Sequence, residues 1–379
     1  MSPDKKRKTR NRHRTVRAAK DLYPHRYRLA DDSEPISFSI TWNNTQTEIS
    51  YHISIYKNEN FQGNASCQEK ITLKLADHEQ FEVTSGYDSP TDLLDLREKV
   101  ESESSLAETE KQLCRTFFRD LASIFSYHFQ PTFLKGIVKG NEKNTEETQG
   151  TEIDINSEIE EIKIPAALGE NGSNLQSILR HIKENEQRTF SLFLAKMRTL
   201  DRSFQGIRYD PKRSSLIWEF DLGRKGYVEE FMPDVISDGF MKIAAISLLS
   251  SLRRPPALIM LEEIENGINP GNIQQLMNWI WQATSPSQEG FSSQFILTSH
   301  SPSVLREFNQ QADHVYTVRL DKRSRQSDVR NLNAALETLV GIGTIKDDEV
   351  EYEERTGKLP LIKIPKYQLA ELWYSGTIG

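Results

Sequence analysis

The sequence has few cysteines, no long apolar run and no secretory leader. Cys67 and Cys114 are its only cysteines in 379 residues, which excludes a disulfide framework and the usual cysteine spacings of metal sites. No apolar stretch approaches the roughly 20 residues of a membrane span, and the basic amino terminus lacks the apolar core of a secretory signal. These absences predict reduced thiols, a cytoplasmic location and no membrane partner.

Charge is distributed very unevenly along the chain. The net charge is −7, yet residues 1–28 alone carry a net charge of +9, so the rest of the chain carries −16. We predict that residues 1–35 form a disordered basic arm. Such an arm could bind nucleic acid through its phosphates, or it could be a solvated tail without a partner. We favour the solvated tail, because no aromatic residues for base stacking interleave the basic ones.

The next part of the chain shows strand patterns followed by helical ones. Residues 36–56 alternate apolar and polar side chains around Asn43-Asn44, which predicts a β-hairpin. Apolar residues at helical spacing predict helix over 91–128, with His128 as a half-buried structural histidine rather than a ligand. We therefore expect residues 36–138 to form a β-hairpin and helical portion.

An acidic segment separates this portion from the remainder. Residues 139–161 contain eight acids and two lysines, so we predict a flexible acidic insertion over 139–163 and a second lobe over 164–379. In that lobe, Asn171–Asn174 is expected to cap a helix, and another helix and three short strands are expected to follow. Those further elements are predicted near 186–199, 205–209, 215–221 and 226–231.

One apolar run ends on a pair of carboxylates. Ala257–Leu261 is an unbroken apolar stretch, as in a strand buried on both faces of a parallel sheet, and Glu262 and Glu263 follow it. Ligands of open α/β sheets bind at such strand ends, where paired carboxylates can hold magnesium and activate water. The alternative is a core strand followed by a solvated acidic turn.

Two further stretches strengthen the first interpretation. Ser237-Asp238-Gly239 precedes an apolar helix, and the free N–H groups of such a helix start attract phosphate; an ordinary helix cap is the alternative. Gln294–Leu297 is a second buried-type strand, followed by Thr298-Ser299-His300 and then by Ser301-Pro302, which is a helix cap with a first-turn proline. A histidine at that strand end can contact a terminal phosphate, or it can be purely structural.

Taken in this order and spacing, the motifs resemble the second half of an ABC-type ATPase head. The likeness is to the RecF, SMC and OLD-like group of AAA-family ATPases. Its specific motifs cover residues 236–302, and the departures are Ile264 and Asn269, where proline and histidine are usual. The resemblance implies a P-loop NTPase-like α/β fold, with a mostly parallel sheet, flanking helices, and a β-rich and helical amino-terminal portion.

The resemblance also implies roles for individual residues. Glu262 stands at the Walker B position that holds magnesium, and Glu263 at the position of the catalytic base. His300 is implied to be the switch histidine, which senses the terminal phosphate of ATP. Residues of the signature motif and the D-loop are implied to bind nucleotide across a dimer interface; they are Ser237, Asp238, Gly239, Asn266 and Gly267.

The phosphate-binding P-loop of this group is missing from the sequence. Its pattern is Gly-x-x-x-x-Gly-Lys-Ser/Thr, and the only Gly-Lys pair, Gly357-Lys358, is followed by leucine and has Tyr352 at the first glycine position. We therefore expect the chain to begin beyond the P-loop of its relatives. Either the chain is a truncated or split ATPase, or it has become a scaffold that does not need nucleotide.

The sequence thus predicts an AAA-family ATPase, or a fragment of one, that uses ATP and magnesium at a head-to-head dimer interface. The partner is expected to be a second copy or a complete ATPase head, in DNA maintenance or phage defence. Whether this chain alone is an enzyme is left open. A non-catalytic interaction or regulatory module derived from such an ATPase is the alternative. The stretch after residue 320 is too short for a nuclease domain, and we expect Asp347–Glu349 to lie in a solvated loop.

Overall fold

A computed structural model describes most of the chain, which divides into two compact units, Met1–Ser123 and Ile124–Gly379. The described residues are 36–43, 47–57, 65–75, 81–84, 93–136, 168–213, 215–223, 227–286, 291–321, 323, 326–356 and 359–378. The predicted basic arm (1–35) and acidic insertion (139–163) lie outside them. The predicted domain boundaries stay predictions.

The first unit contains an antiparallel sheet. Its strands are β1 (Ile36–Asn43), β2 (Thr47–Lys57), β3 (Ala65–Leu75) and β4 (Phe81–Thr84), hydrogen-bonded in that order. Trp42 pairs with Ile49, so the predicted hairpin is confirmed. Because alternate strand residues share a face, Ile49, Ile71 and Leu73 form one apolar side that packs on helix residues such as Phe117.

The helical prediction over 91–128 is right for its first part and wrong at its end. Helices α1 (Leu93–Ser102) and α2 (Glu108–Ala122) form as expected, but Ile124–Tyr127 is a strand, β5. A four-residue segment with three apolar side chains satisfies a helical or a strand pattern equally well, and pairing in a parallel sheet decides the outcome. His128 therefore directly follows a strand rather than lying in a helix, and its side chain is about half exposed.

The second unit places helices around a small antiparallel sheet. Helices α3 (Pro131–Leu134), α4 (Leu175–Asn185) and α5 (Gln187–Leu200) precede strands β6 (Phe204–Asp210), β7 (Ser215–Phe220) and β8 (Glu229–Phe231). These strands pair in the order β6-β7-β8. The predicted helix after Asn174 is confirmed, and its four apolar residues at helical spacing are buried: Leu175, Ile178, Leu179 and Ile182.

The central layer of this unit is parallel. Helix α6 (Asp238–Leu249) leads to strand β9 (Leu258–Leu261), helix α7 (Pro270–Thr284), strand β10 (Gln294–Leu297) and the short helix α8 (Pro302–Leu305). The strands pair in parallel in the order β10-β9-β5. Proline at the first turn of α7 and α8, after caps by Asn269 and Ser301, confirms the predicted helix starts. One apolar core extends from the parallel sheet to α4–α7 and β6–β7.

The carboxyl-terminal part of the chain contains the hairpin of β11 (Tyr316–Leu320) and β12 (Ser327–Asn331), then α9 (Leu332–Gly341), β13 (Glu351–Glu353), β14 (Leu361–Lys363) and α10 (Lys366–Tyr374). Buried residues of α9, β14 and α10 belong to a separate apolar cluster. Asp347–Glu349 forms a short 3-10 turn with no buried residue. Within the described ranges, no helix has the length and apolar character needed to span a membrane. The predicted α/β class, with a parallel sheet and flanking helices, is confirmed.

Candidate functional site

The carboxyl ends of the three parallel strands meet at one rim. The amide of Glu262, directly after β9, donates to the carbonyl of Tyr127 at the end of β5 over 3.1 Å. On the other side, the amide of Thr298, directly after β10, donates to the carbonyl of Leu261 over 3.0 Å. Because these bonds continue the sheet past its last paired residues, the three segments that leave the strands start side by side.

Two of those segments are tied together. We call Glu262–Gly267 the acidic turn and Thr298–His300 the histidine turn. The amide of Glu263 donates to Oγ1 of Thr298 over 3.0 Å, and the amide of Ile264 donates to the carbonyl of Thr298 over 3.2 Å. Proline, which is usual at position 264 in the group that the sequence resembles, has no N–H and would lose the second bond.

A third bond joins the two turns near the predicted switch histidine. The amide of His300 donates to Oε1 of Glu265 over 2.8 Å. The other oxygen of this carboxylate, Oε2, is buried and has no hydrogen-bond partner among the described residues. The imidazole of His300 is exposed. The structure therefore brings Glu263 and His300, predicted as catalytic, to neighbouring turns on one rim.

The backbone of the predicted base is strained. Glu263 has a φ of 44° and is the one residue other than glycine with positive φ in the described ranges. An L-residue in this left-handed region costs about 1–2 kcal/mol. The amide of Asn266 donates to the Glu263 carbonyl over 2.9 Å, and its side chain donates to Oε2 of Glu263 over 3.2 Å. Gly267 closes the turn with a φ of 78°.

A second histidine lies on this rim, and the sequence analysis missed it. Nδ1 of His128 lies 3.1 Å from Oε2 of Glu262, and both side chains are about half exposed. A signal was present, because the mostly apolar segment Ile124–Tyr127 is followed by a polar side chain, as β9 and β10 are. The helical assignment of that run concealed it. His128 therefore orients the carboxylate that was predicted to hold magnesium.

The predicted signature residues form the start of α6, which we call the serine turn (Ser237–Gly239). Oγ of Ser237 accepts from the amide of Phe240 over 3.3 Å, so the predicted cap is confirmed. Asp238 forms an ion pair of 2.6 Å with Lys135. Gly239 is buried, and a Cβ built there would lie 2.3 Å from the carbonyl oxygen of Gly267. The serine turn therefore abuts the acidic turn of the same chain.

A buried lysine links the same two segments. Lys242 of α6 is only 5% exposed, and its Nζ donates to the carbonyls of Glu263 (2.6 Å) and Asn266 (3.2 Å). Burial lowers the pKa of Lys242, although nearby Glu265 and Glu263 favour its charged form. No role for this residue was predicted from the sequence. The available signal was a lysine among the apolar residues that follow the first turn of α6.

The donors at the rim suit magnesium and phosphate. Carboxylates such as those of Glu262 and Glu263 are preferred ligands of Mg²⁺, which takes one or two of them and completes its shell with phosphate oxygens and water. Among the described residues, no cluster of three or more His, Cys, Asp or Glu side chains is arranged to hold a metal ion. The start of a helix such as α6 attracts an anion through its positive end.

Comparison with known sequences gives one family match. Residues 3–306 match the family described as "AAA domain, putative AbiEii toxin, Type IV TA system". The match includes the acidic, histidine and serine turns. No curated protein sequence matches the chain.

Several solved structures are similar to this chain at low sequence identity. A crystal structure of an SMC head bound to the C-winged helix domain of ScpA is 12% identical, with a TM-score of 0.36 and coverage of 76% of each chain. An SMC head from Pyrococcus furiosus, bound to the C-terminal domain of ScpA, is 14% identical, with a TM-score of 0.33 and coverage of 79% of this chain and 80% of that one. An SMC head from Pyrococcus yayanosii is 11% identical, with a TM-score of 0.31 and coverage of 78% and 84%.

Proposed function

The chain belongs to this family of AAA domains, and from that membership and the geometry of the rim we propose that it is part of a magnesium-dependent ATPase. The observation that carries the proposal is the joining of the acidic and histidine turns through Thr298 and Glu265. This arrangement presents the carboxylates of Glu262 and Glu263 beside the segment that carries His300. Bound ATP would supply the phosphoanhydride bond, and magnesium would offset its negative charge.

The residues of the rim have separate tasks in this proposal. Glu262, held by His128, is the carboxylate that binds magnesium or its water. Glu263 accepts a hydrogen bond from the attacking water and takes its proton as general base. His300 donates to a terminal phosphate oxygen. Asn266 keeps the Glu263 carboxylate directed along the turn.

The serine turn completes a site in a second subunit. Ser237 is exposed and has a hydroxyl donor, and the N–H groups that follow it stand at the positive end of α6. Gly239 has no Cβ, and this lets the acidic turn pack directly against the start of α6. Because the serine turn packs on the acidic turn, Asn266 and Gly267 would lie at the same interface. The partner is a second copy of the chain or a complete ATPase head.

The phosphate-binding loop comes from another polypeptide segment. The 379 residues contain no Gly-x-x-x-x-Gly-Lys-Ser/Thr, and without that loop the β- and γ-phosphates lose their main backbone donors. Calorimetric titration of the purified chain with ATP and magnesium should therefore show no binding in the micromolar range. Micromolar binding would mean that the missing loop does not matter and that the site has been misassigned.

The decisive experiment reconstitutes the loop. A segment with the P-loop pattern, sought in the reading frame just upstream of Met1, is fused to the chain, and ATP hydrolysis is measured. Glu263→Gln should lower kcat by about 100-fold or more while ATP binding persists. Glu337→Gln, at an exposed position on α9, is the matched control and should leave kcat unchanged. Undiminished turnover by Glu263→Gln would remove Glu263 from the mechanism.

The missing loop also favours a second candidate, a non-catalytic module that docks on a complete ATPase. In that case the reconstituted chain would bind ATP without hydrolysing it, or no upstream P-loop would be found. The chain would then act through its serine turn on a partner's nucleotide. The family description names a toxin–antitoxin system, which is compatible with the predicted setting of phage defence.

A further inference from the structure

Lys242 joins the helix that starts at the serine turn to the turn that carries the proposed base. It sits on the second turn of α6, and its ammonium donates to the carbonyls of Glu263 and Asn266 at 2.6 and 3.2 Å. The side chain is 5% exposed. Burying an ammonium group costs free energy unless its N–H donors form hydrogen bonds. Here two of its three donors bond to backbone oxygens of one turn.

Close packing of two glycines provides a second link between the same segments. The position of a Cβ on Gly239 would be 2.3 Å from the carbonyl oxygen of Gly267 and 3.2 Å from its carbonyl carbon. Backbone therefore touches backbone, with no flexible side chain between them to absorb movement. The two links lie about one turn of α6 apart, so the acidic turn is held against the helix at both its beginning and its end.

We propose that Lys242 is a positioning residue that holds the acidic turn against α6, so that the serine turn and Glu263 move as one body. The carbonyl of Glu263 accepts from the amide of Asn266 within the turn and from Nζ of Lys242. Of these two donors, only Lys242 connects the residue with positive φ to α6. The proposal rests on the proposed function in so far as Glu263 is the base. Its consequence is that a phosphate bound at the serine turn is sensed at Glu263 of the same chain.

A neutral side chain at position 242 tests this link in the full chain. Lys242→Met keeps an unbranched apolar stem but removes the donors, and Lys242→Arg retains a charged donor. Lys196→Met is the matched control, because Lys196 is partly buried and also donates to a carbonyl at α6, that of Ser250 directly after the end of the helix. Amide hydrogen exchange is followed at Asn266 and Ile268, whose N–H groups donate within the acidic turn.

The expected results separate positioning from general stability. Lys242→Met should speed exchange of these amides by about tenfold, Lys242→Arg should restore it to within about threefold of the original chain, and Lys196→Met should leave it unchanged. In the reconstituted ATPase, Lys242→Met should lower kcat by about tenfold or more with KM nearly constant. Unaltered exchange in Lys242→Met, or the same acceleration in Lys196→Met, would overturn the proposal.

The exchange comparison remains decisive if a variant fails to fold or if the reconstituted chain is inactive. If Lys242→Met does not fold, Lys242→Gln, which retains one donor group, takes its place in the exchange comparison under the same criteria. If the reconstituted chain hydrolyses no ATP, the proposed function fails, whereas the exchange data still decide whether Lys242 positions the turn. Loss of kcat in Lys242→Met with unaltered exchange would contradict the positioning role and leave the ATPase intact as a proposal.

Discussion

Adding one methyl group at Gly239 should displace the acidic turn. In Gly239→Ala the new Cβ would lie 2.3 Å from the carbonyl oxygen of Gly267 and 3.3 Å from Cα of Ile268. Both are backbone atoms, so the overlap cannot be relieved by a side-chain rotation. Either α6 or the acidic turn must shift, and Lys242 couples the shift to Glu263.

A second glycine allows the size of this effect to be isolated. Gly341 is the last residue of α9, and a Cβ there would meet nothing within 4 Å. Replacing glycine by alanine in a helix is worth about 0.5–1 kcal/mol of stability, and this gain applies to both variants. Overpacking typically costs about 1–3 kcal/mol and applies only to Gly239→Ala. The difference in unfolding free energy between the two variants should therefore be about 1–3 kcal/mol.

The assay is urea unfolding of both variants and of the original chain, followed by tryptophan fluorescence. Gly341→Ala should be slightly more stable than the original chain, and Gly239→Ala less stable than Gly341→Ala by the stated amount. In the reconstituted protein, Gly239→Ala should also lower kcat because Glu263 moves. Equal stability of the two variants, together with unaltered hydrogen exchange in the acidic turn, would refute the close approach of the two glycines.

Three other outcomes follow from the structure. Burial lowers the pKa of Lys196 from 10.5 to about 8. Between pH 8 and 10.5 the unfolded chain therefore binds more protons than the folded one, so the free energy of unfolding should rise with pH by up to about 3 kcal/mol. Urea unfolding of Lys196→Met at a series of pH values should lack this rise. Thermal unfolding should show Glu263→Gly at least as stable as the original chain, because glycine accepts the positive φ, and Glu263→Val less stable; the reverse order would contradict the strain. If the basic arm binds nucleic acid, affinity for duplex DNA should fall steeply with salt and vanish when residues 1–28 are deleted, whereas equal binding after deletion would eliminate that role.

Local signals in the sequence were sufficient for the helix starts and for the two strand ends that were recognised. Ser237, Asn269 and Ser301 cap their helices as predicted, because a short polar side chain followed by a helix start satisfies free N–H groups with little dependence on the rest of the fold. The unbroken apolar run before Glu262 indicated a buried parallel strand for a similar reason, and Ile259 and Leu261 of β9 are buried. The run before Thr298 forms the predicted parallel strand, but the prediction that it is buried is wrong, because Ile296 of β10 is 53% exposed.

The parts that were missed depend on contacts distant in sequence. His128 meets Glu262 across 134 positions, and β5 is a strand only because β9 pairs with it. Lys242 reaches carbonyls 21 and 24 positions away, and no spacing rule marks which carbonyl a buried lysine will contact. Local periodicity cannot report such partners, and in β5 it indicated the wrong element.

The strained backbone of Glu263 follows from this same set of distant contacts. A φ of 44° costs about 1–2 kcal/mol, and the local bonds from Asn266 offset only part of this cost. Each hydrogen bond to the surrounding elements contributes about 0.5–1.5 kcal/mol, and the residue makes two of them through its backbone, to Thr298 and Lys242. A third, from Ile264 to the histidine turn, is available because position 264 is not proline. The position of the Glu263 carboxylate is thus set by β10 and α6 together, which is why a change in either element should be felt at the proposed base.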